Sequence, residues 1–215
     1  MKAKIVAGAV AAALALAALG ATLAFGGGRA GRTAAAHVTA ARACPAAWAG
    51  GWQRLADRVR APVYCPTWMP NPLDGKIRGD YQDIYSIGKD RSYLVSFLEH
   101  GDAGSGDVHV NFRGYPGRTA IPRCTTVIPN GKRTIRGTAR CFSGAAGTMT
   151  ANGIRATIYT VNQDADQWHV LLAWHYHGSL YVVSEHVINP YNSATRVKTN
   201  LRRVLAGLVL VRPAG

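Results

Sequence analysis

The sequence predicts an α+β domain, an antiparallel β-sheet flanked by an N-terminal and a C-terminal helix, preceded by one transmembrane helix. Three observations predict it. Apolar residues recur at helical spacing near both ends of residues 44–215. Between those ends the period shifts to two, punctuated by hairpin dipeptides. Ahead of them lies an apolar run, residues 5–25, with Lys2 and Lys4 before it and no Asp or Glu until Asp57.

A helix needs roughly 20 apolar residues to cross a bilayer, and the h-region of a cleaved signal has roughly 7–15. Residues 1–25 are therefore expected to be a cytoplasmic stub and a signal-anchor. The alternative is secretion after cleavage, for which Thr22-Leu23-Ala24 and Ala34-Ala35-Ala36 both offer small-residue sites. A buried core helix would need a polar face, and this run has none. Lys2, Lys4 and the terminal amine lie on one side, Arg29 and Arg32 on the other, which slightly favours a cytoplasmic N-terminus. No twin-Arg pair precedes the run, and Ala41-Arg42-Ala43 before Cys44 is not a lipoprotein signal. Residues 26–43, Gly/Ala-rich with scattered Arg, read as a flexible tether.

Residues 44–215 have the length of one domain. The chain carries 25 Lys and Arg against 11 Asp and Glu, a net +14. Five of the basic residues (Lys2, Lys4, Arg29, Arg32, Arg42) precede Cys44. The domain thus keeps 20 basic residues against 11 acidic ones, or +9. Outside a membrane the available polyanions are lipid headgroups and wall polymers, so anionic lipid, a wall polymer or an envelope protein is the expected partner, not nucleic acid.

Cys44, Cys65, Cys124 and Cys141 are even in number in a chain expected to meet an oxidising compartment. Short metal-type spacings are absent, so disulfides are expected. Of the three connectivities, Cys44–Cys65 with Cys124–Cys141 brackets the most coherent segments.

Trp48, Trp52, Leu55 and Val59 form one face of a helix that Pro62 ends, with Arg54 and Arg58 outside that face. The prolines of residues 62–70 predict an extended connector pinned by Cys65. From about Tyr81 alternation begins: Tyr93, Val95 and Phe97 on one strand, then Val108, Val110 and Phe112 against His109 and Asn111. Asn130-Gly131 and Asn152-Gly153 are type I′ dipeptides, with strands expected after each, near residues 132–138 and 154–161. The clearest hairpin runs over residues 167–177 and returns through Gly178-Ser179 into residues 180–187. Trp168, Val170, Leu172, Trp174 and Tyr176 line one of its faces. Ser193 or Asn192 can cap a final helix to about Gly207, whose stripe is Val197, Leu201, Val204 and Leu208.

The hairpin pattern Trp174-x-x-x-Gly178-x-x-Tyr181, the amphipathic helix after it, and a Leu-Val-Leu-Val ending before Pro213 resemble a bacterial extracytoplasmic domain of unknown function. Such domains occur in membrane-anchored proteins and beside anti-sigma regulators. Pro66-Thr67-Trp68-Met69-Pro70 is similar to the proline-flanked aromatic segment that opens them. The likeness covers about a third of the chain. It implies a sensing or interaction module and brings no catalytic residue. An Ala-, Gly- and Arg-heavy composition looks actinobacterial.

Candidate chemistry is sparse. His169, His175 and His177 sit at even spacing on the hairpin strand. Its partner offers His186 and Glu185, which alternate and cannot both face one cluster. No third ligand is set by spacing, so no metal and no cofactor is expected. Ser105 in Ala103-Gly104-Ser105-Gly106 lacks the first glycine of a nucleophile elbow. Asp164 and Asp166 fall in a polar turn. Trp48, Trp52, Trp68, Trp168 and Trp174 are expected in the core rather than on a ligand platform. The sequence thus points to a membrane-tethered, non-catalytic binding or sensing domain of the cell envelope, single-pass with its C-terminal part outside. The alternative is an anchored or secreted envelope hydrolase without a local motif.

Overall fold

The computed structural model describes residues 42–71, 73, 84–98, 108–130, 133–162, 169–187 and 193–215. Among them the chain forms two helices and eleven strands, and the architecture is α+β. The expected anchor, residues 5–25, lies outside the described residues. Among those described, no helix is long and apolar enough to cross a membrane. Ala40–Gly215 form one compact unit. Its described part begins before Cys44: the Arg42 guanidinium donates to the Ala206 carbonyl, so the last residues of the expected tether are already held.

Helix α1, Ala46–Val59, buries Trp48, Trp52, Leu55, Ala56 and Val59, and stops where Arg60 turns left-handed (φ 51°). Strand β1, Val63–Pro66, follows. The prolines at positions 62 and 66 were expected to keep this stretch out of regular structure. Instead β1 pairs antiparallel with β11, Leu208–Val211, as an isolated two-stranded ribbon. A two-stranded ribbon leaves one edge of each strand unpaired, where the missing proline N–H costs no ladder bond.

The main sheet has seven antiparallel strands in the order β2-β3-β4-β10-β9-β8-β7. These are β2 Ile84–Ile87, β3 Tyr93–Leu98, β4 His109–Tyr115, β7 Phe142–Ala151, β8 Ile154–Asn162, β9 His169–Tyr176 and β10 Ser179–His186. Strands β5, Arg123–Asn130, and β6, Arg133–Arg140, form a separate hairpin. The β9–β10 loop is His177-Gly178, one residue earlier than expected: both have positive φ (46° and 71°), and Tyr176 pairs with Ser179. Asn152-Gly153 turns the chain the same way, with φ 50° and 71°.

Strand β7 has no counterpart in the sequence reading. Its run of Gly, Ala, Thr and Ser is largely exposed, so it shows no apolar alternation. A register shift between Ala145 and Thr148 bends it, and Gly144 and Gly147 supply the positive φ (70° and 119°) that the bend needs.

Helix α2, Ala194–Ala206, is capped by the Ser193 side chain, which accepts from the Arg196 N–H. Val197, Leu201, Val204 and Leu205 are buried on it, while Leu208 belongs to β11. Both helices cover the same face of the sheet. Trp48 meets Phe97 edge-on at 5.3 Å and Trp52 meets Phe112 at 5.9 Å. From α2, Asn200 Nδ2 donates to Glu185 Oε1 at 2.7 Å. The β1–β11 ribbon completes this layer, with Tyr64 packed edge-on against Trp174 and Tyr181 at 5.3 and 5.0 Å.

Two disulfides are present, Cys44–Cys65 and Cys124–Cys141, as the sequence-local pairing predicts. The first ties the start of the domain to β1. The second ties the base of the β5–β6 hairpin to the start of β7. Trp48, Trp52 and Trp174 are core residues, as expected, and Trp68 lies half-buried beneath Arg203, whose guanidinium carbon is 4.1 Å from the ring centroid.

Candidate functional site

Strand alternation puts Leu94 and Ser96 of β3, Asn111, Arg113 and Tyr115 of β4, Leu180, Val182, Ser184 and His186 of β10, and His169, Leu171 and Ala173 of β9 on the face opposite the helices. Its apolar part packs Cys141, Phe142, Leu171, Ala173, Leu180 and Val182. Two polar features border this small core.

The first is a groove of about 520 Å³ beside the Cys124–Cys141 disulfide. Arg113, Arg118 and Arg123 line it, opposed among the described residues by one carboxylate, Asp90. Arg118 Nη2 stands 3.2 Å from Asp90 Oδ2. Asp90 Oδ1 accepts from the Ser92 hydroxyl at 2.6 Å and the Ser92 N–H at 3.1 Å. Those bonds from Ser92, with the Arg118 charge, hold the Asp90 carboxyl below its usual range. Arg123 Nη2 is spread along β6, donating to the Thr138 carbonyl at 2.7 Å. Tyr115 forms part of the wall. Burial pushes its hydroxyl pKa up, against the lowering effect of Arg113. Three guanidinium groups against one carboxylate give the groove a positive field, and the planar fork of arginine suits phosphate and carboxylate oxygens.

The second feature is a row of histidines. His186 and His169 are paired across β10 and β9, and His109 of β4 completes the row. The three ring centroids lie 4.7–5.1 Å apart, and the Nε2 atoms of His109 and His169 are 2.9 Å from each other. One of these nitrogens must carry the shared proton and the other accept it. His169 and His186 are buried. One step along the strands, the Ser96 hydroxyl donates to Asn111 Oδ1 at 2.6 Å.

Of the sequence-derived candidates, His169 and His186 are thus brought together. His175 is at the far end of β9, where its Nε2 lies 2.8 Å from the Thr119 carbonyl, and His177 is in the turn. Glu185 faces the helices, as alternation requires. Ser105, Asp164, Asp166 and Trp168 lie outside the described residues. Among the described residues, no group of three or more His, Cys, Asp or Glu is arranged to hold a metal ion. Sequence reasoning did not single out Arg113, Arg118, Arg123 or the role of His109. The only available signal was the polar side of the β4 alternation, His109-x-Asn111.

Comparison with family models, curated proteins and solved structures finds no match. What the fold and site define is a disulfide-braced antiparallel α+β domain with a basic groove on the face opposite α1 and α2.

Proposed function

We propose that this chain is a membrane-tethered, non-catalytic domain on the outer side of a bacterial membrane, whose arginine groove binds a phosphate-bearing component of the cell envelope. The observation that carries the reading is the groove itself. Three arginines face one aspartate at a place where the two ends of the β5–β6 hairpin are joined by a disulfide, a bond that persists in oxidising compartments. The apolar run at residues 5–25 supports the tether, and the likeness to domains found beside anti-sigma regulators supports a sensing role. Anionic headgroups and phosphodiester wall polymers offer the groove the same chemistry.

Sedimentation of the full-length protein with purified anionic wall polymer, and flotation with phosphatidylglycerol or phosphatidylcholine vesicles, tests the reading and separates the two sources. Binding to an anionic partner that Arg113→Ala and Arg123→Ala weaken supports it; equal binding by the variants removes the groove from the account. Alkaline phosphatase fused after Gly215 should be active if the domain is outside, and an inactive phosphatase beside a fluorescent cytoplasmic fusion would reverse the topology.

The hydrolase reading has one observation in its favour, the row His109, His186 and His169 on the same face as Ser184. Labelling by a fluorophosphonate, lost in Ser184→Ala, would favour it over binding.

A further inference from the structure

The two helices carry a charge that the rest of the domain does not. Arg54 and Arg58 of α1, the Arg60 that ends it, and Arg196, Lys198, Arg202 and Arg203 of α2 are all exposed. Asp57 is the one acidic residue on either helix, and its Oδ1 is already engaged by the Gln53 amide at 3.0 Å and the Ala214 N–H at 2.8 Å. Seven basic residues against one acidic place +6 of the domain's +9 on these helices, and leave thirteen basic against ten acidic elsewhere. Both helices turn their apolar stripes to one face of the sheet, so the basic side chains share a single outer surface that points away from it. The chain also enters the domain in this layer. The Arg42 guanidinium donates to the Ala206 carbonyl at the C-terminal end of α2, and Cys44 is bonded to Cys65 of the β1–β11 ribbon. Sixteen residues, 26–41, separate Arg42 from the apolar run. At roughly 3.5 Å per residue when fully extended, they span no more than about 60 Å.

We propose that the outer face of α1 and α2 docks on the anionic headgroup surface of the membrane in which residues 5–25 are anchored. The proposal rests on the membrane-tethered part of the reading above and not on the ligand of the groove. Headgroup phosphates supply the counter-charge that Asp57 alone does not, and the planar guanidinium pairs well with their oxygens. Attachment through residues 26–41 makes the contact intramolecular, so a modest attraction per cation is enough. With the helices against the bilayer, the groove beside Cys124–Cys141 is turned away from it. Of the two phosphate sources open to the groove, wall polymer is then the one within its reach.

The test uses full-length protein reconstituted in liposomes of phosphatidylglycerol with phosphatidylcholine, or of phosphatidylcholine alone. A fraction of the lipid bears a nitroxide on its headgroup, which quenches a fluorophore only at short range. A dye on Thr199→Cys reports from the outer face of α2, and one on Thr119→Cys from beside Arg118 of the groove; both positions are exposed. With phosphatidylglycerol, quenching at position 199 should exceed that at 119. It should fall in phosphatidylcholine alone, and in about 1 M salt, where the screening length is about 3 Å. Arg196→Gln, Lys198→Gln and Arg202→Gln together should lower the docking equilibrium about a hundredfold, at roughly fivefold per cation, and bring quenching at 199 to the phosphatidylcholine level. Arg203 is left in place because it stacks over Trp68. Arg113→Ala with Arg123→Ala should leave quenching at 199 unchanged. Equal quenching at 199 and 119, quenching at 199 that survives both the triple substitution and high salt, or its loss in the groove variant would each overturn the docking. Protein that does not float with phosphatidylcholine liposomes lacks the anchor, which overturns the tethered reading and this proposal with it. Should the triple variant fail to fold, the lipid and salt comparisons on the parent protein still decide.

Discussion

Tyr93 lies against Gly114 so closely that no side chain fits between them. The two residues are paired in register on β3 and β4, and a Cβ built on Gly114 would fall within the ring of Tyr93. Tyr93 cannot retreat, because it is buried, and its burial raises its hydroxyl pKa well above the usual value. Gly114→Ala should therefore destabilise by about 1–3 kcal/mol through overpacking. Urea denaturation measures it, and an unchanged midpoint would mean that the ring has room to move.

The two disulfides close sequence separations of 21 and 17 residues. Each should contribute about 2–4 kcal/mol, chiefly by restricting the unfolded chain. Peptide mapping of the unreduced protein should recover Cys44 joined to Cys65 and Cys124 joined to Cys141. The Cys124→Ala, Cys141→Ala double variant should lose stability and also loosen the arginine groove, which both residues line.

Leu201 is fully buried on α2, so Leu201→Ala should cost about 2–5 kcal/mol. Arg202 is exposed, and Arg202→Ala should leave the melting temperature nearly unchanged. Arg203 differs from its neighbour because it stacks over Trp68. Arg203→Ala should cost about 0.5–1 kcal/mol, the range of a partly exposed cation–π contact. Thermal melts of the three variants rank these effects, and a silent Leu201→Ala would remove the packing account.

Burial pushes the Tyr181 hydroxyl up to about 12, and it donates to the Pro62 carbonyl at 2.8 Å. An unfolded tyrosine titrates near 10. Between these values the folded state holds a proton that the unfolded chain has released. This contribution to stability is therefore complete below about pH 10 and is lost as the pH rises toward about 12. Denaturation midpoints should be level through neutral pH and fall above about pH 10. Tyr181→Phe should flatten part of that fall, leaving the share that belongs to Tyr93, Tyr115 and Tyr64, whose hydroxyls burial also raises.

Much of this architecture is legible in the chain because its signals are local. The α1 stripe Trp48, Trp52, Leu55 and Val59, the α2 stripe Val197, Leu201 and Val204, and the alternation of β3, β4, β9 and β10 each arise from one face meeting the core. Where an element is not half-buried the signal fails. Strand β7 is mostly exposed and carries no apolar pattern, and β1 hides between prolines because its only partner is β11, about 145 residues away in the chain. The same physics explains the sites. Arg113, Arg118 and Arg123 belong to β4, the segment after it and β5, and spacing cannot say that they share a groove.

By itself the sequence determined the α+β class, both helices and the central hairpins, since periodicity and turn dipeptides act within a few residues of the chain, and it favoured one of three disulfide pairings, the one that the structure shows. Only the tertiary structure decided that both helices cover one face, that β1 and β11 pair, and that His109 joins His169 and His186. It likewise decided that Arg113, Arg118 and Arg123 line one groove. Those outcomes depend on strand order and on contacts between residues distant in sequence. Strand alternation tells which side of a strand a residue faces, and strand order tells what it faces there.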